Sequence, residues 1–210
     1  MLSDEERKFR ERASRTYART VDRQGEEMYD ALCEELMQFM EPEAAVLELA
    51  CDTGQLTLPL AGSVKSWTAS DSSPKLIKRL QKRASAAKVP AEFAVEDPGR
   101  LTYADASFDM VLIANALHIM SHPVKVLSEI GRVLRPDGLL IAPTFVYEGE
   151  VNDFKLWLME FGGYKIYHKW TLDAYADFLE TNGFTPVRLT MIGGGLLPEC
   201  VAFCRKEEEV

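Results

Sequence analysis

The sequence predicts an α/β fold wound around a mostly parallel sheet, and three observations carry that prediction. Short apolar runs alternate with amphipathic helical stretches from Ala45 to Phe145. The segments between those runs are long enough for right-handed crossovers. The last two strand-like runs are joined by a link too short for a parallel connection. The chain has 210 residues, 47% apolar and 27% charged, which is the size and composition of one globular domain with a continuous core.

The N-terminal stretch, residues 3–40, is helix-rich. Met28, Leu32, Leu36, Phe39 and Met40 recur every three or four positions, so one face packs on the rest of the chain. Pro42 ends the stretch. Residues 45–50 read as a short buried strand opening into a turn at Cys51 to Gly54, with a helix following over 55–61. Residues 66–70 form a second strand that ends at Asp71. Ser73 then caps a helix with Pro74 at its first position, which turns Leu76, Ile77, Leu80 and Ala84 inward. A third strand covers 91–95 and ends at Glu96-Asp97. Residues 108–114 are almost unbroken apolar, as a central parallel strand requires. Pro123 opens a helix that buries Leu127, Ile130 and Leu134. Arg135-Pro-Asp-Gly138 has the residues of a type I turn before a fifth strand over 139–145.

After Phe145 the pattern changes. An aromatic-rich stretch, 154–170, precedes a helix capped by Thr171 and stopped by Asn182-Gly183, with Trp170 and Tyr175 at staple positions across the cap. Two more strands, 184–192 and 197–204, flank Gly193-Gly-Gly195, so the last strand is expected to be antiparallel. The charged tail from Arg205 is expected to fray. The predicted architecture is therefore a Rossmann-like, doubly wound, mostly parallel seven-stranded sheet with an antiparallel last strand, plus an N-terminal helical cap.

Composition excludes several classes of partner. A formal net charge of −9 would repel phosphate backbones; Lys78, Arg79, Lys82 and Arg83 have the spacing of a solvated helix face, so nucleic acid is not expected as a partner. No apolar run reaches the roughly 18 residues of a membrane span, and the charged N-terminus lacks the apolar core of a secretory signal, so a cytoplasmic location with no membrane partner is expected. Cys33, Cys51, Cys200 and Cys204 form no CxxC pair and suggest buried thiols, with no metal site and no disulfide framework.

In an open α/β sheet, ligands bind beyond the carboxyl ends of the strands, which directs attention to Glu48 to Gly54, Asp71, Glu96-Asp97 and Asn115 to His118. Asp71 stands where a carboxylate can accept both hydroxyls of a ribose; it also fits as a helix N-terminal acid beside Ser73. The block Val46-Leu-Glu-Leu-Ala-Cys-Asp-Thr-Gly54 resembles the first motif of class I S-adenosylmethionine-dependent methyltransferases. Further segments resemble the family in order: Asp71 with Ser73, Glu96-Asp97, Asn115-Ala-Leu-His118, and Arg132-Val-Leu-Arg-Pro-Asp-Gly138. The resemblance implies S-adenosylmethionine as cofactor, held by Glu48, Ala50, Cys51, Asp52, Thr53, Gly54, Asp71, Ser72, Glu96, Asp97 and Asn115. It also divides the domain, 1–210, into a helical cap (1–42), a cofactor-binding half (43–145) and a substrate-side half (146–210).

The chain departs from the family at two of the usual glycines, where it has Ala50 and Asp52. Asp52 either faces the cofactor's ammonium, obstructs the methionyl site, or points outward as a turn former. Beside a dinucleotide pyrophosphate it would be repulsive, which argues against a nicotinamide-dependent oxidoreductase. The expected function is methyl transfer to a small-molecule acceptor; the alternative is a non-catalytic protein of the same fold that binds S-adenosylmethionine or S-adenosylhomocysteine. His118 is the candidate general base, and Tyr17, His118, Tyr147, Trp157 and His168 are candidate substrate contacts. His122, before Pro123, is expected to be structural. A homodimer is compatible with this reading.

Overall fold

The computed structural model describes residues 23–147, 166–193 and 198–207. Its elements are α1 (Arg23–Met37), β1 (Ala45–Leu49), α2 (Thr57–Leu60), β2 (Ser66–Asp71), α3 (Pro74–Ala87), β3 (Glu92–Val95), β4 (Phe108–Ile113), α4 (Pro123–Val133), β5 (Leu134–Phe145), α5 (Leu172–Thr181), β6 (Phe184–Ile192) and β7 (Glu199–Lys206). The sheet has seven strands in the order β3-β2-β1-β4-β5-β7-β6. The strands from β1 to β5 pair in parallel, and β7 lies antiparallel between β5 and β6, as the short link predicted.

Both faces of the central strands are buried, which is why they read as continuous apolar runs. The two-residue period divides them between two cores. Leu47, Leu49, Val111, Ile113, Leu140 and Ala142 pack with α4 and α5, and Val46, Met110, Leu112 and Ile141 pack with α1 and α3. On α1, Met28, Leu32 and Leu36 form the buried stripe. A polar clamp docks the same helix: Glu35 Oε1 accepts from Thr190 Oγ1 at 2.9 Å and from Arg188 at 2.8 Å. The Arg188 guanidinium lies over the Phe39 ring, which stacks on Phe203 with centroids 3.8 Å apart.

Local signals place the helices. Ser73 caps α3 by accepting from Leu76 N, and all four residues expected to face inward, Leu76, Ile77, Leu80 and Ala84, are buried. Thr171 caps α5, Gly183 follows it at φ +82°, and the Trp170 and Tyr175 rings meet at 5.3 Å across the cap. Arg132 on α4 bonds the Leu101 and Tyr103 carbonyls, Asp105 and Glu129, tying the loop before β4 to the helix.

Four details differ from expectation. The helix over 55–61 is one α turn, Thr57–Leu60, continued as a 3-10 turn at Ala61–Ser63. Leu134 is buried, as expected, but it opens β5 instead of closing α4. Arg135-Pro-Asp-Gly138 is no free-standing turn; it belongs to β5, whose pairing with β4 shifts register between Phe108 and Met110. A Cβ on Gly138 would lie 2.8 Å from Leu134 Cδ2 and 2.9 Å from the Arg135 carbonyl, so the irregular strand needs glycine for space. Finally, Arg205 and Lys206 are paired β7 residues, not a frayed tail.

Candidate functional site

The loop after β1 has a backbone with a regular alternation: Ala50, Asp52 and Gly54 have φ of +57°, +50° and +86°. These are the three positions at which the family would have glycines, and all three are left-handed. Asp tolerates this conformation better than most residues, because its short polar side chain can bond locally. Alanine has no such compensation. Ala50→Gly is therefore expected to raise stability by about 1 kcal/mol, which a urea melt of the two proteins measures; an unchanged midpoint would show that the loop relaxes around Ala50 at no cost.

The loop is braced from below. Cys51 N donates to the Ser70 carbonyl at 3.0 Å, and Ser70 Oγ donates to the Glu48 carbonyl at 2.9 Å. Asp71, buried at the end of β2, accepts from Asp52 N at 3.3 Å through Oδ2 and from Ser73 N at 2.9 Å through Oδ1. One carboxylate thus holds the loops after β1 and β2 together. Ser72 is half-buried beside it. Thr53 Oγ1 reaches Gln55, and the Thr53 carbonyl accepts from Arg83 of α3.

Glu48 and Glu96 have their carboxylates turned inward. Glu48 Oε2 accepts from Thr57 Oγ1 and from Trp67 Nε1, the latter at 2.9 Å, and burial pushes the carboxyl up to about 7 despite those two donors. Glu96 accepts from both the amide and the hydroxyl of Thr102. Asp97 turns its own loop, accepting from Gly99 N at 3.0 Å, and lines a cleft with Met120, Ser121, His122 and Lys125. His122 precedes α4 without a side-chain cap bond.

At the end of β4, Asn115 is a further left-handed residue, at φ +51°. Its Nδ2 donates to Glu199 Oε1 at 2.8 Å. Glu199 was not singled out from the sequence, although one carboxylate opening an otherwise apolar strand was the available signal. It is fully buried at the start of β7, and burial pushes it up to about 7. His118 is also buried, with Nδ1 3.1 Å from Thr144 Oγ1 and its ring edge on Phe145. Burial holds its imidazole down at about 4, so it is neutral at physiological pH. Its carbonyl accepts from the amides of Tyr167 and His168. His168 stacks on Trp170, and the amide of Tyr147 donates to the Trp170 carbonyl. Tyr147, His118 and His168 are thus gathered near the ends of β4 and β5. Tyr17 and Trp157 lie outside the described residues, as do most of the aromatic stretch and the cap before Arg23.

A family profile described as a methyltransferase domain matches residues 46–138, a span that runs from β1 through the loops after β1, β2 and β3. Over that span, a little under half of its length, the chain is similar to methyltransferase domains. Among similar curated proteins, the demethylmenaquinone methyltransferase of Beutenbergia cavernae is 35% identical over 104 residues, covering 50% of this chain and 42% of that one. The chain spans about half the length of the curated relatives it matches. Among solved structures, the 1,6-didemethyltoxoflavin-N1-methyltransferase of Burkholderia thailandensis, solved with 1,6-didemethyltoxoflavin and S-adenosylhomocysteine, superposes with a TM-score of 0.75 at 20% identity, covering 99% of this chain and 92% of that one. The [4+2]-cyclase SpnF superposes with a TM-score of 0.72 at 18% identity, covering 86% and 81%. The methyltransferase fold is therefore shared with a protein named for a different reaction, and chemistry has to be argued from the site.

Proposed function

We propose that the chain transfers a methyl group from S-adenosylmethionine to a small-molecule acceptor. The observation that carries this reading is the left-handed alternation of the loop from Ala50 to Gly54, braced on Asp71. The alternation turns the chain sharply at the carboxyl end of β1, the edge at which ligands of open α/β sheets bind. Asp71, a buried carboxylate at the carboxyl end of β2, suits the hydroxyls of a ribose as well. In this reading Asp97 flanks the adenine from the cleft that it lines with Gly99 and Met120, and Asp52 meets the ammonium of the methionyl part. Glu48 contributes by fixing the strand end instead of by touching the ligand, since its carboxylate is turned to Thr57 and Trp67.

When bound, the cofactor supplies a methyl group on a positively charged sulfur. What remains for the protein is to hold the acceptor in line, exclude water and take up a proton if the acceptor releases one. His118 is the proposed base. Its ring is unprotonated throughout the physiological range, so a lone pair is available for the proton, although burial lowers its basicity, and Thr144 fixes the ring. Tyr147 and His168 would line the acceptor side. The net charge of −9 supports a small molecule over a nucleic acid, and among the described residues no helix is long and apolar enough to cross a membrane.

Calorimetric titration with S-adenosylmethionine and S-adenosylhomocysteine tests the proposal; no heat of binding for either would overturn it. Asp52→Gly then separates an adapted enzyme from the non-catalytic alternative. If Asp52 pairs with the ammonium, the variant is expected to be more stable, because its φ of +50° suits glycine, yet to bind the cofactor equally or more weakly. A tenfold gain in affinity, about 1.4 kcal/mol, would show that Asp52 obstructs the site and would favour the non-catalytic reading.

A further inference from the structure

The contact between Asn115 and Glu199 leaves two atoms unexplained. Nδ2 of Asn115 donates to Oε1 of Glu199, and among the described residues both Oδ1 of Asn115 and Oε2 of Glu199 are buried with no hydrogen-bond partner. Both are acceptors when the carboxyl is ionised, and burying two unpaired acceptors is costly. They belong to the same two groups that already share one hydrogen bond, which is half of the ring that an acid and an amide can form. A proton on Oε2, donated to Oδ1, closes that ring. No described cation approaches the carboxylate. Arg188 on β6 is paired with Glu35 of α1, burial pushes the Cys200 thiol on β7 up to about 11, and His118 after β4 is uncharged.

We infer that Glu199 is a positioning residue that holds Asn115 through a shared proton, so that Asn115 offers the ligand its remaining amide N–H and no acceptor. With one N–H of Nδ2 on Oε1 and Oδ1 on the carboxyl proton, the second N–H of the amide is the group left over. Asn115 is half-buried at the carboxyl end of β4, the edge where the ligand is proposed to bind, and its left-handed backbone is the strain expected of a residue held for function. The ligand atom opposite it is accordingly an acceptor, such as a carbonyl, carboxylate or ring nitrogen. Glu199 itself, wholly buried, never touches the ligand. The raised affinity of its carboxyl for protons, with half-titration at about 7, is consistent with this arrangement. The inference rests on the cofactor-binding reading for its ligand, but not for its proton.

Two measurements on the full chain test it. Infrared difference spectra of the ligand-free protein, wild type minus Glu199→Gln, should show a protonated-carboxyl band at about pH 6 that fades by about pH 8. Absence of the band at the lower pH overturns the inference, whether or not any ligand binds. Calorimetry with S-adenosylhomocysteine should give a wild-type affinity that falls about tenfold as pH rises across the same range. Glu199→Gln, whose amide mimics the protonated acid, should hold the low-pH affinity throughout, and Glu199→Ala should be weak at every pH. A Gln variant that loses affinity in parallel with the wild type, or a flat wild-type profile, overturns it. No binding to any of the proteins would overturn the proposed function instead, with the infrared result still deciding the inference.

Discussion

Gly54→Ala is expected to destabilise the protein by about 2–5 kcal/mol, the sum of about 1–2 kcal/mol for a left-handed alanine and a further 1–3 kcal/mol for overpacking. The second part comes from α3. A Cβ at Gly54 would fall well inside contact distance of Leu80 Cδ1, and Leu80 is fully buried in the core beneath the loop. Leu80 is held among well-packed neighbours, so the loop rather than the helix has to move. Urea denaturation gives the stability change, and calorimetry with S-adenosylhomocysteine should show weakened binding in whatever fraction remains folded. In a Leu80→Ala background, itself less stable because it opens a core cavity, Gly54→Ala should cost only the backbone part. If the single variant is as stable as wild type, the close approach of loop and helix is not a constraint.

Asp71→Ala is expected to have two separable effects. Its carboxylate joins the loops after β1 and β2 by accepting from Asp52 N and Ser73 N, so truncation leaves two amides without their partner and should lower stability by about 1–3 kcal/mol. Loss of the proposed ribose contacts should weaken cofactor binding by about 1.5–3 kcal/mol, the range for hydrogen bonds to a charged group. Asp71→Asn keeps one accepting oxygen and discriminates between them. It should be intermediate in stability yet close to the alanine variant in affinity if the charged carboxylate binds the ribose hydroxyls. Unchanged affinity in a folded alanine variant would remove Asp71 from the site and leave it as a brace.

What the sequence made legible was whatever depends on neighbours in the chain. The two-residue period and apolar runs located β1, β2 and β4 to within about a residue, and Ser73-Pro74 marked the start of α3 because a cap and an N1 proline act locally. The order of the loops around the site followed from the motifs. Contacts between distant segments were not legible. Nothing in Cys51-Asp-Thr-Gly54 announces Leu80 as the reason for glycine, and nothing near Glu48 or Glu96 tells that their carboxylates turn to Trp67 and Thr102. Arg135-Pro-Asp-Gly138 has turn composition, but pairing of Leu134 with Phe108 draws it into the sheet. Glu199 was missed because an acid at a strand start is ordinarily exposed. Only the antiparallel insertion of β7 beside β5 buries it against Asn115.

Because β7 runs against its neighbours, its first residue sits at the same rim of the sheet as the last residues of β4 and β5, facing Phe145 across the ladder. The family profile ends at residue 138, so this part of the rim is drawn from chain that the shared motifs do not include. On the proposed reading, a change at the start of β7 would act on the ligand through Asn115 without altering any residue of the span that the methyltransferase profile matches.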